Sequence, residues 1–377
     1  MLKVSHRIQI LAGFLALGTG LPAMATVTPD CDGHQRPGVT ADPGISGPWA
    51  VGNRTVEISG ITTEIWYPAA PGSTDGLQPT RYDLREYLAE DDRDRLENSA
   101  SAFRDCACFR DVPLADLPGR LPVIIQIHGT ASFRTASMSQ ALHWASRGFI
   151  VIAADHPRIR LSDVLRPGGT FGIFFADQER DVTRILKKIR RPTGPLAFLA
   201  GRMAGDRVGI TGHSAGGRAL KDLGKQPGVR VLVPMAAGGV NHGASLESTL
   251  VIGAERDSIV EYTEQVSGYN TSPSLKRFVG LANAGHLAFT DICDMAPESG
   301  GMLQEAVDAG IEIPEIIVNL SSDGCGESYL AWEESMKILN HVTTLAFEET
   351  LYCADNAPDQ WVDLSFELDG IRELSTE

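Results

Sequence analysis

Residues 207–217 read Arg-Val-Gly-Ile-Thr-Gly-His-Ser-Ala-Gly-Gly and carry the strongest structural signal in the chain. The first five residues have the composition of a buried strand, and a helical stretch is predicted over residues 215–223. Between them, Gly212, Ser214 and Gly216 form the G-x-S-x-G pattern of a nucleophile elbow. Glycine at both flanking positions keeps side chains away from a serine held in a strained turn. The pattern therefore predicts a serine hydroxyl at a sharp strand-to-helix turn, next to the positive end of the helix dipole.

Buried strands and amphipathic helices alternate on both sides of this turn. Apolar runs predict strands over residues 55–67, 123–127, 149–154, 208–211, 231–234, 250–253 and 277–281. Helical spacing of apolar residues predicts helices over residues 137–146, 177–190 and 328–351. Apolar strands separated by helices are typical of a parallel sheet that is covered on both faces. The predicted fold class is therefore α/β, with a mostly parallel central sheet.

A serine hydroxyl becomes a good nucleophile only when a base takes its proton. On a fold of this kind the partners follow the serine in the order acid, then histidine. His286 follows the predicted strand 277–281, where a loop can carry it over the sheet. His341 falls inside a predicted helix, and His242 precedes the acid. His286 is therefore the predicted base.

The acid is expected in the loop after the strand 250–253. Asp257 lies there, and its role would be to hold the imidazole tautomer and to stabilise the imidazolium. Glu255 and Glu261 are alternatives in the same loop, and Asp257 itself also fits an exposed loop carboxylate. Asp257 is the predicted acid.

An oxyanion hole needs two backbone N–H groups aimed at the developing charge. Ala215, directly after the nucleophile, supplies one of them. The second is expected from the loop 128–131, and Thr130 is the predicted donor. His128 in that loop is interpreted as a packing residue rather than as a base or a metal ligand.

The first 25 residues have the pattern of a secretory signal peptide. Lys3 and Arg7 precede an apolar run over residues 8–17, and Ala23 and Ala25 supply small residues for cleavage after Ala25. A membrane anchor is the alternative, but the apolar run is shorter than the ~20 residues that span a bilayer. The sequence predicts no integral membrane span and a secreted or periplasmic protein.

Six cysteines follow the predicted signal: Cys31, Cys106, Cys108, Cys293, Cys325 and Cys353. An even number in an exported protein suits disulfides, and the sequence leaves their pairing open. Cys106 and Cys108 are close enough to suggest a metal pair, but no second Cys/His pair at zinc spacing accompanies them. Neither a metal nor a cofactor is predicted.

The composition indicates a folded globular protein, because 43% of the 377 residues are hydrophobic and 21% are charged. The formal net charge is −15. A surface this acidic repels phosphate backbones, so nucleic-acid binding is not expected. Binding to anionic lipid by charge alone is not expected either, and no motif indicates an obligate protein partner.

Beyond the signal, residues 26–54 are predicted to form an extended segment, and residues 55–377 one catalytic domain. This domain carries insertions near residues 80–118 and 296–327. The charged stretch 82–111 within the first insertion is interpreted as a helical excursion.

Apolar residues in the two insertions bear on the substrate. Residues 300–325 are rich in them and fit either one wall of an acyl pocket or a packed peripheral helix pair. The first insertion is a candidate for the opposite side of the same pocket. Residues 171–175, Phe-Gly-Ile-Phe-Phe, are a third apolar candidate that core packing explains equally well.

Residues 122–135, 146–153, 212–217 and 285–291 together resemble the platelet-activating-factor acetylhydrolase and predicted dienelactone-hydrolase group of the α/β-hydrolase superfamily. The resemblance covers about residues 55–295. It implies an α/β-hydrolase fold with cap-like insertions and a serine nucleophile at position 214. It also implies an ester substrate.

One departure from this group concerns the acid. Residues 233–238, where the animal acetylhydrolases carry it, contain no carboxylate. Residues 252–260 instead look like the acid loop of cutinase-like polyesterases and dienelactone hydrolases. This shift weakens the transfer of a phospholipid substrate, and a serine rather than a cysteine at position 214 favours simple ester hydrolysis.

The function predicted from these features is a secreted serine carboxylesterase that acts through an acyl-enzyme intermediate. An acyltransferase that uses the same triad is one alternative. A lipase, a phospholipid acetylhydrolase-type enzyme or a polyester-degrading enzyme is another. A secreted binding module without activity is the third, although such descendants usually lose a triad member and all three residues are present here.

Overall fold

The computed structural model describes residues 39–97, 99–295, 301–354 and 368–377, together with residues 360, 361 and 364. All of them fall in one unit that spans residues 31–377. The predicted signal peptide and Cys31 lie outside the described residues.

The described strands are β1 (Val51–Ile58), β2 (Ile61–Pro68), β3 (Arg81–Asp83), β4 (Phe103–Asp105), β5 (Cys108–Arg110), β6 (Leu121–Ile127), β7 (Ile150–Ala154), β8 (Met203–His213), β9 (Val229–Met235), β10 (Ser248–Ala254), β11 (Lys276–Leu281) and β12 (Ile371–Thr376). Ten of them form one sheet in the order β12-β11-β10-β9-β8-β6-β7-β2-β1-β5, and β3 pairs with β4. The six central strands from β7 to β11 run parallel to one another. Antiparallel β12 and β2 flank them. The mostly parallel sheet predicted from the sequence is confirmed.

The described helices are α1 (Glu90–Arg93), α2 (Met138–Ser146), α3 (Leu161–Val164), α4 (Gly169–Gly172), α5 (Gln178–Ile189), α6 (Ala215–Arg218), α7 (Tyr262–Thr271), α8 (Ile292–Met295), α9 (Gly301–Asp308), α10 (Glu315–Leu320) and α11 (Trp332–Leu351). None of them combines the length and the apolar character needed to cross a membrane.

Alternating side chains of the sheet fill two apolar cores, one on each face. Ile124 of β6 packs in the same core as Trp144 of α2 and Phe347 of α11. Its neighbour Ile125 points to the other core, which also contains Ile185 of α5. This is the period-two alternation of a strand that is buried on both faces. Burial of each such side chain contributes about 1.5–3 kcal/mol, so helices on both sides hold the sheet that carries the loops described below.

The single strand predicted over residues 55–67 is wrong, because this stretch belongs to a hairpin. β1 and β2 pair in antiparallel register around a turn at Ser59 and Gly60. Both turn residues have positive φ angles, 55° and 80°. The Ser-Gly pair was the available turn signal, and the β-branched residues on either side of it obscured the break.

The interpretation of residues 82–111 as a helical excursion is only partly right. The stretch contains α1 and several single turns of 3₁₀ helix between residues 84 and 102, but it then forms the short strands β4 and β5. Cys106, directly after β4, and Cys108, the first residue of β5, form a disulfide. The helix predicted over residues 215–223 is also shorter, because α6 ends at Arg218 and looser turns follow it.

Cys293 and Cys325 form a second disulfide. It joins α8 to the segment that follows α10, across 32 residues of chain. No cysteine in the described part of the chain is a free thiol. Disulfides of this number fit an oxidising compartment.

Candidate active site

Ser214 lies between the end of β8 and the start of α6, in a strained backbone conformation with φ 55° and ψ −118°. The turn is crowded on both sides. A Cβ atom at Gly212 would lie 2.4 Å from the carbonyl oxygen of Gly216, and one at Gly216 would lie 2.2 Å from the carbonyl oxygen of Ile127. No side chain fits at either position, so the two glycines allow Ser214 to occupy this turn.

His286 and Asp257 form a buried hydrogen-bonded pair. Nδ1 of His286 lies 3.0 Å from Oδ1 and 2.9 Å from Oδ2 of Asp257. Their side chains are 2% and 0% exposed. An Nδ1–H that donates to the carboxylate leaves Nε2 with a free lone pair, which is the tautomer that a general base needs.

The loop around Asp257 fixes this carboxylate independently of His286. Oδ1 accepts hydrogen bonds from the backbone N–H groups of Ile259 and Val260, at 2.9 and 2.8 Å. Oδ2 accepts one from Nε2 of Gln265 on α7, at 3.1 Å. These donors satisfy the charge of a carboxylate that burial would otherwise penalise.

The alternative candidates for the acid and for the base lie away from the cavity that contains Ser214 and His286. Glu255 forms an ion pair with Arg372 at the surface, and Glu261 is exposed at the start of α7. His242 is exposed, and His341 packs within α11. None of the four lines the cavity that contains Ser214 and His286.

Ser214 and His286 line one cavity of about 300 Å³. Within the described residues, no hydrogen bond joins the hydroxyl of Ser214 to His286. Catalytic hydrogen bonds are often long in enzymes without substrate and shorten when substrate binds. The structure brings the predicted nucleophile and the predicted base to one cavity.

Thr130 and Ala215 line the same cavity. The register of the sheet brings these two residues together, because β6 and β8 are adjacent and Ile127 pairs with Gly212 near the ends of the two strands. Ala215 is the first residue of α6, where a backbone N–H has no acceptor within the helix. In the described part of the chain, neither Thr130 nor Ala215 donates its backbone N–H to another residue, so both donors are available to an oxyanion.

Two buried histidines near the site, His213 and His128, are neutral. Burial, together with the neighbouring His286, holds the pKa of His213 well below its usual range, and its Nε2–H donates to the carbonyl oxygen of His286 at 2.7 Å. Burial, and next the neighbouring His156, lower the pKa of His128 to about 3. Nε2 of His128 accepts the backbone N–H of His156, at 3.0 Å. Both side chains therefore hold backbone near the site.

The cavity walls are largely apolar, and both predicted insertions contribute to them. The first insertion contributes two leucines, and the second contributes side chains from α9, α10 and the residues around them. The apolar lining side chains from these two insertions are Leu84, Leu88, Met302, Leu303, Ala306, Ile313, Ile316, Ile317 and Leu320. Ile292 and Met295 of α8, which precedes the second insertion, also line the cavity. Phe171, Phe174 and Phe175 do not line the cavity and are 54–81% exposed, so the pocket-wall interpretation and the core-packing interpretation of these residues are both wrong.

Sequence reasoning missed Gln265 and Asp323. Gln265 donates to Asp257, as described above. Asp323 accepts the backbone N–H of His286 at 3.1 Å. A glutamine on a helix and an aspartate in a loop 37 residues beyond the histidine form no recognisable spacing, so their roles depend on tertiary structure alone.

The sheet order, the elbow after β8 and the loops after β10 and β11 define an α/β-hydrolase fold. A family model described as platelet-activating factor acetylhydrolase, isoform II, matches residues 58–159. The matched residues include β2 to β7 and the loop with Thr130, and they precede Ser214. The match confirms the resemblance to this group of hydrolases, which act on esters. Comparison with curated proteins gives no match.

Buried neutral histidines make the stability of the fold depend on pH. An unfolded histidine takes up a proton near pH 6.5, whereas folded His128 does so only near pH 3. Lowering the pH from 7.5 to 5 therefore favours the unfolded state by about 2 kcal/mol through this residue. We expect His128→Gln to show a smaller fall in the free energy of unfolding over this interval, measured by urea titration.

Variant and wild type must be compared with each other, because other buried groups also make the stability depend on pH. Burial raises the pKa values of Asp291 and Glu348. Groups of this kind stabilise the folded state as the pH falls, which opposes the histidine effect. His242→Gln, at an exposed histidine, is the control and should follow wild type. An identical pH dependence in His128→Gln and wild type would contradict the assignment.

Proposed function

We propose that this protein is a serine hydrolase that cleaves carboxylic esters through an acyl-enzyme intermediate. The observation that carries the proposal is the Asp257–His286 pair, whose histidine lines the same cavity as a serine in a strained elbow. The match to an acetylhydrolase family supports ester hydrolysis as the class of reaction.

In the first half of the reaction, the hydroxyl of Ser214 attacks the ester carbonyl carbon while Nε2 of His286 takes the hydroxyl proton. The carbonyl oxygen becomes an oxyanion and accepts hydrogen bonds from the N–H groups of Thr130 and Ala215. One such donor contributes about 2.7–4 kcal/mol to the transition state. Asp257 stabilises the imidazolium that forms.

The tetrahedral intermediate then collapses. The bond to the alcohol oxygen breaks, and the alcohol leaves with the proton from His286. In the second half, water attacks the acyl carbon while His286 takes one of its protons. Release of the carboxylic acid returns the proton to Ser214, so no cofactor takes part.

The cavity supports an ester with a sizeable apolar group. Its walls are mostly aliphatic side chains, and a cavity of about 300 Å³ lies at the lower end of the range for small-molecule sites. An apolar acyl or alkyl chain fits such walls, because burial of each CH₂ group contributes about 0.8 kcal/mol. The acidic surface gives no attraction to anionic substrates.

Export supports an extracellular or periplasmic substrate. The two described disulfides are compatible with an oxidising compartment. The pattern of residues 1–25 is that of a cleavable signal peptide. We propose on these grounds that the protein acts after secretion.

Removal of the nucleophile or the base should abolish hydrolysis. We expect Ser214→Ala and His286→Ala to lower kcat on p-nitrophenyl butyrate by about 10⁴- to 10⁶-fold, and Asp257→Asn by about 10⁴-fold because the tautomer is lost. Release of p-nitrophenol measures each rate. His242→Ala is the matched control and should keep wild-type activity. Unchanged rates in Ser214→Ala and His286→Ala would refute the proposed function.

The cavity wall should set the preferred chain length. Leu303 lines the cavity, whereas Val307 on the same helix is exposed and does not. We expect Leu303→Trp to lower kcat/KM for p-nitrophenyl decanoate at least about tenfold more than for p-nitrophenyl acetate, because the larger ring displaces the chain. Val307→Trp is the control and should change neither value. Equal effects of Leu303→Trp on both esters would show that the chain binds elsewhere.

A further inference from the structure

Asp323 lies in the segment between α10 and α11, and its carboxylate contacts two different loops. Oδ2 accepts hydrogen bonds from the backbone N–H and the hydroxyl of Ser258, at 2.8 and 2.6 Å. Oδ1 accepts one from the backbone N–H of His286, at 3.1 Å. Ser258 directly follows Asp257 in the chain, so one carboxylate joins the loop of the acid to the loop of the base.

The backbone around Asp323 approaches the histidine loop closely. The carbonyl oxygen of Asp323 accepts the N–H of Leu287 at 2.8 Å. A Cβ atom at Gly285 would lie 2.4 Å from Oδ1 of Asp323 and 2.5 Å from Cα of Gly324. A side chain at position 285 would therefore push the two segments apart.

His286 is held at three points by the described residues. Asp323 accepts its backbone N–H, His213 donates to its backbone carbonyl oxygen, and Asp257 accepts from its ring. The first two contacts place the backbone, and the third orients the imidazole. Asp323 is the member of this set that also contacts the loop of the acid.

The disulfide between Cys293 and Cys325 fastens this arrangement. Cys325 lies two residues after Asp323 in the chain, and Cys293 lies in α8, just after the turn that contains His286. The bond thus ties the segment of Asp323 to the chain on the far side of the histidine. It restricts how far Asp323 can move away from His286.

We propose that Asp323 is a positioning residue for the Asp257–His286 pair, and that the Cys293–Cys325 disulfide keeps it in place. The inference rests on the proposed function, because it concerns the geometry of the same triad. The carboxylate is buried and forms no ion pair with a described residue. Its charge is met by three hydrogen-bond donors, all of them from the two triad loops.

The expected effect is on the chemical step. The hydrogen bonds from Ile259 and Val260 fix Asp257 within its own loop, but they do not set its distance from His286. A displacement of about 1 Å between catalytic groups can lower the rate by roughly 100-fold. Binding of a short ester depends less on this distance, so KM should change little.

The test compares kcat and KM for p-nitrophenyl acetate in Asp323→Ala, Asp323→Asn and Glu312→Ala. We expect Asp323→Ala to lower kcat by roughly 10- to 100-fold with KM within about twofold of wild type. The kcat of Asp323→Asn should lie between those of wild type and Asp323→Ala, because the amide keeps one acceptor oxygen and can accept hydrogen bonds from only one of the two loops. Glu312→Ala, at an exposed carboxylate just before α10, should match wild type.

A pair of double variants tests the disulfide separately. Cys293→Ser with Cys325→Ser should lower kcat in the same way, while Cys106→Ser with Cys108→Ser should leave kcat unchanged. Thermal unfolding of each purified variant shows whether it is folded at the assay temperature. Folded Asp323 variants with the kcat of wild type overturn the inference, and so does loss of the fold in every variant of Asp323 and of Cys293 with Cys325.

Different results would overturn the proposed function and the positioning role of Asp323. Wild-type hydrolysis that Ser214→Ala abolishes, combined with full activity in Asp323→Ala, overturns only the positioning role. A wild-type protein that hydrolyses no ester overturns the proposed function and this inference together. A rise in KM without a fall in kcat shows that Asp323 shapes the substrate cavity and overturns the positioning role.

Discussion

The backbone at the start of α6 packs closely against the backbone at the end of β6, and the geometry of the site depends on this contact. A single methyl group at Gly216 would come within 2.2 Å of the carbonyl oxygen of Ile127. Because the start of α6 and the end of β6 meet so closely, the turn with Ser214 lies beside the loop with Thr130. The predicted nucleophile and the two candidate oxyanion donors are thus placed by backbone packing at one end of the sheet.

Most of the features that local sequence controls were predictable. The glycines around Ser214, the alternating strands and helices, and the loops that contain Asp257 and His286 all follow from patterns within a few residues. The hairpin turn at Ser59 was missed because β-branched residues on both sides continue the strand pattern. Asp323 was not predictable, because it meets His286 only after the chain folds back over 37 residues.

Charge is distributed around the site so that one histidine has a carboxylate partner and its neighbours stay neutral. Burial keeps the pKa values of His128 and His213 low, so both rings hold backbone groups without adding positive charge. A cationic neighbour would oppose the protonation of His286 that the proposed mechanism requires. The same burial costs stability in acid, which links the electrostatics of the site to the stability of the fold.

The central claim is that Ser214 is an activated nucleophile, and covalent labelling tests it most directly. The protein is treated with a fluorophosphonate, digested and mapped by mass spectrometry, with His286→Ala treated in parallel. The account predicts one adduct, on the peptide that contains Ser214, and labelling at least about 100-fold slower in His286→Ala. An adduct on another residue, or equal labelling rates in the two proteins, would contradict it.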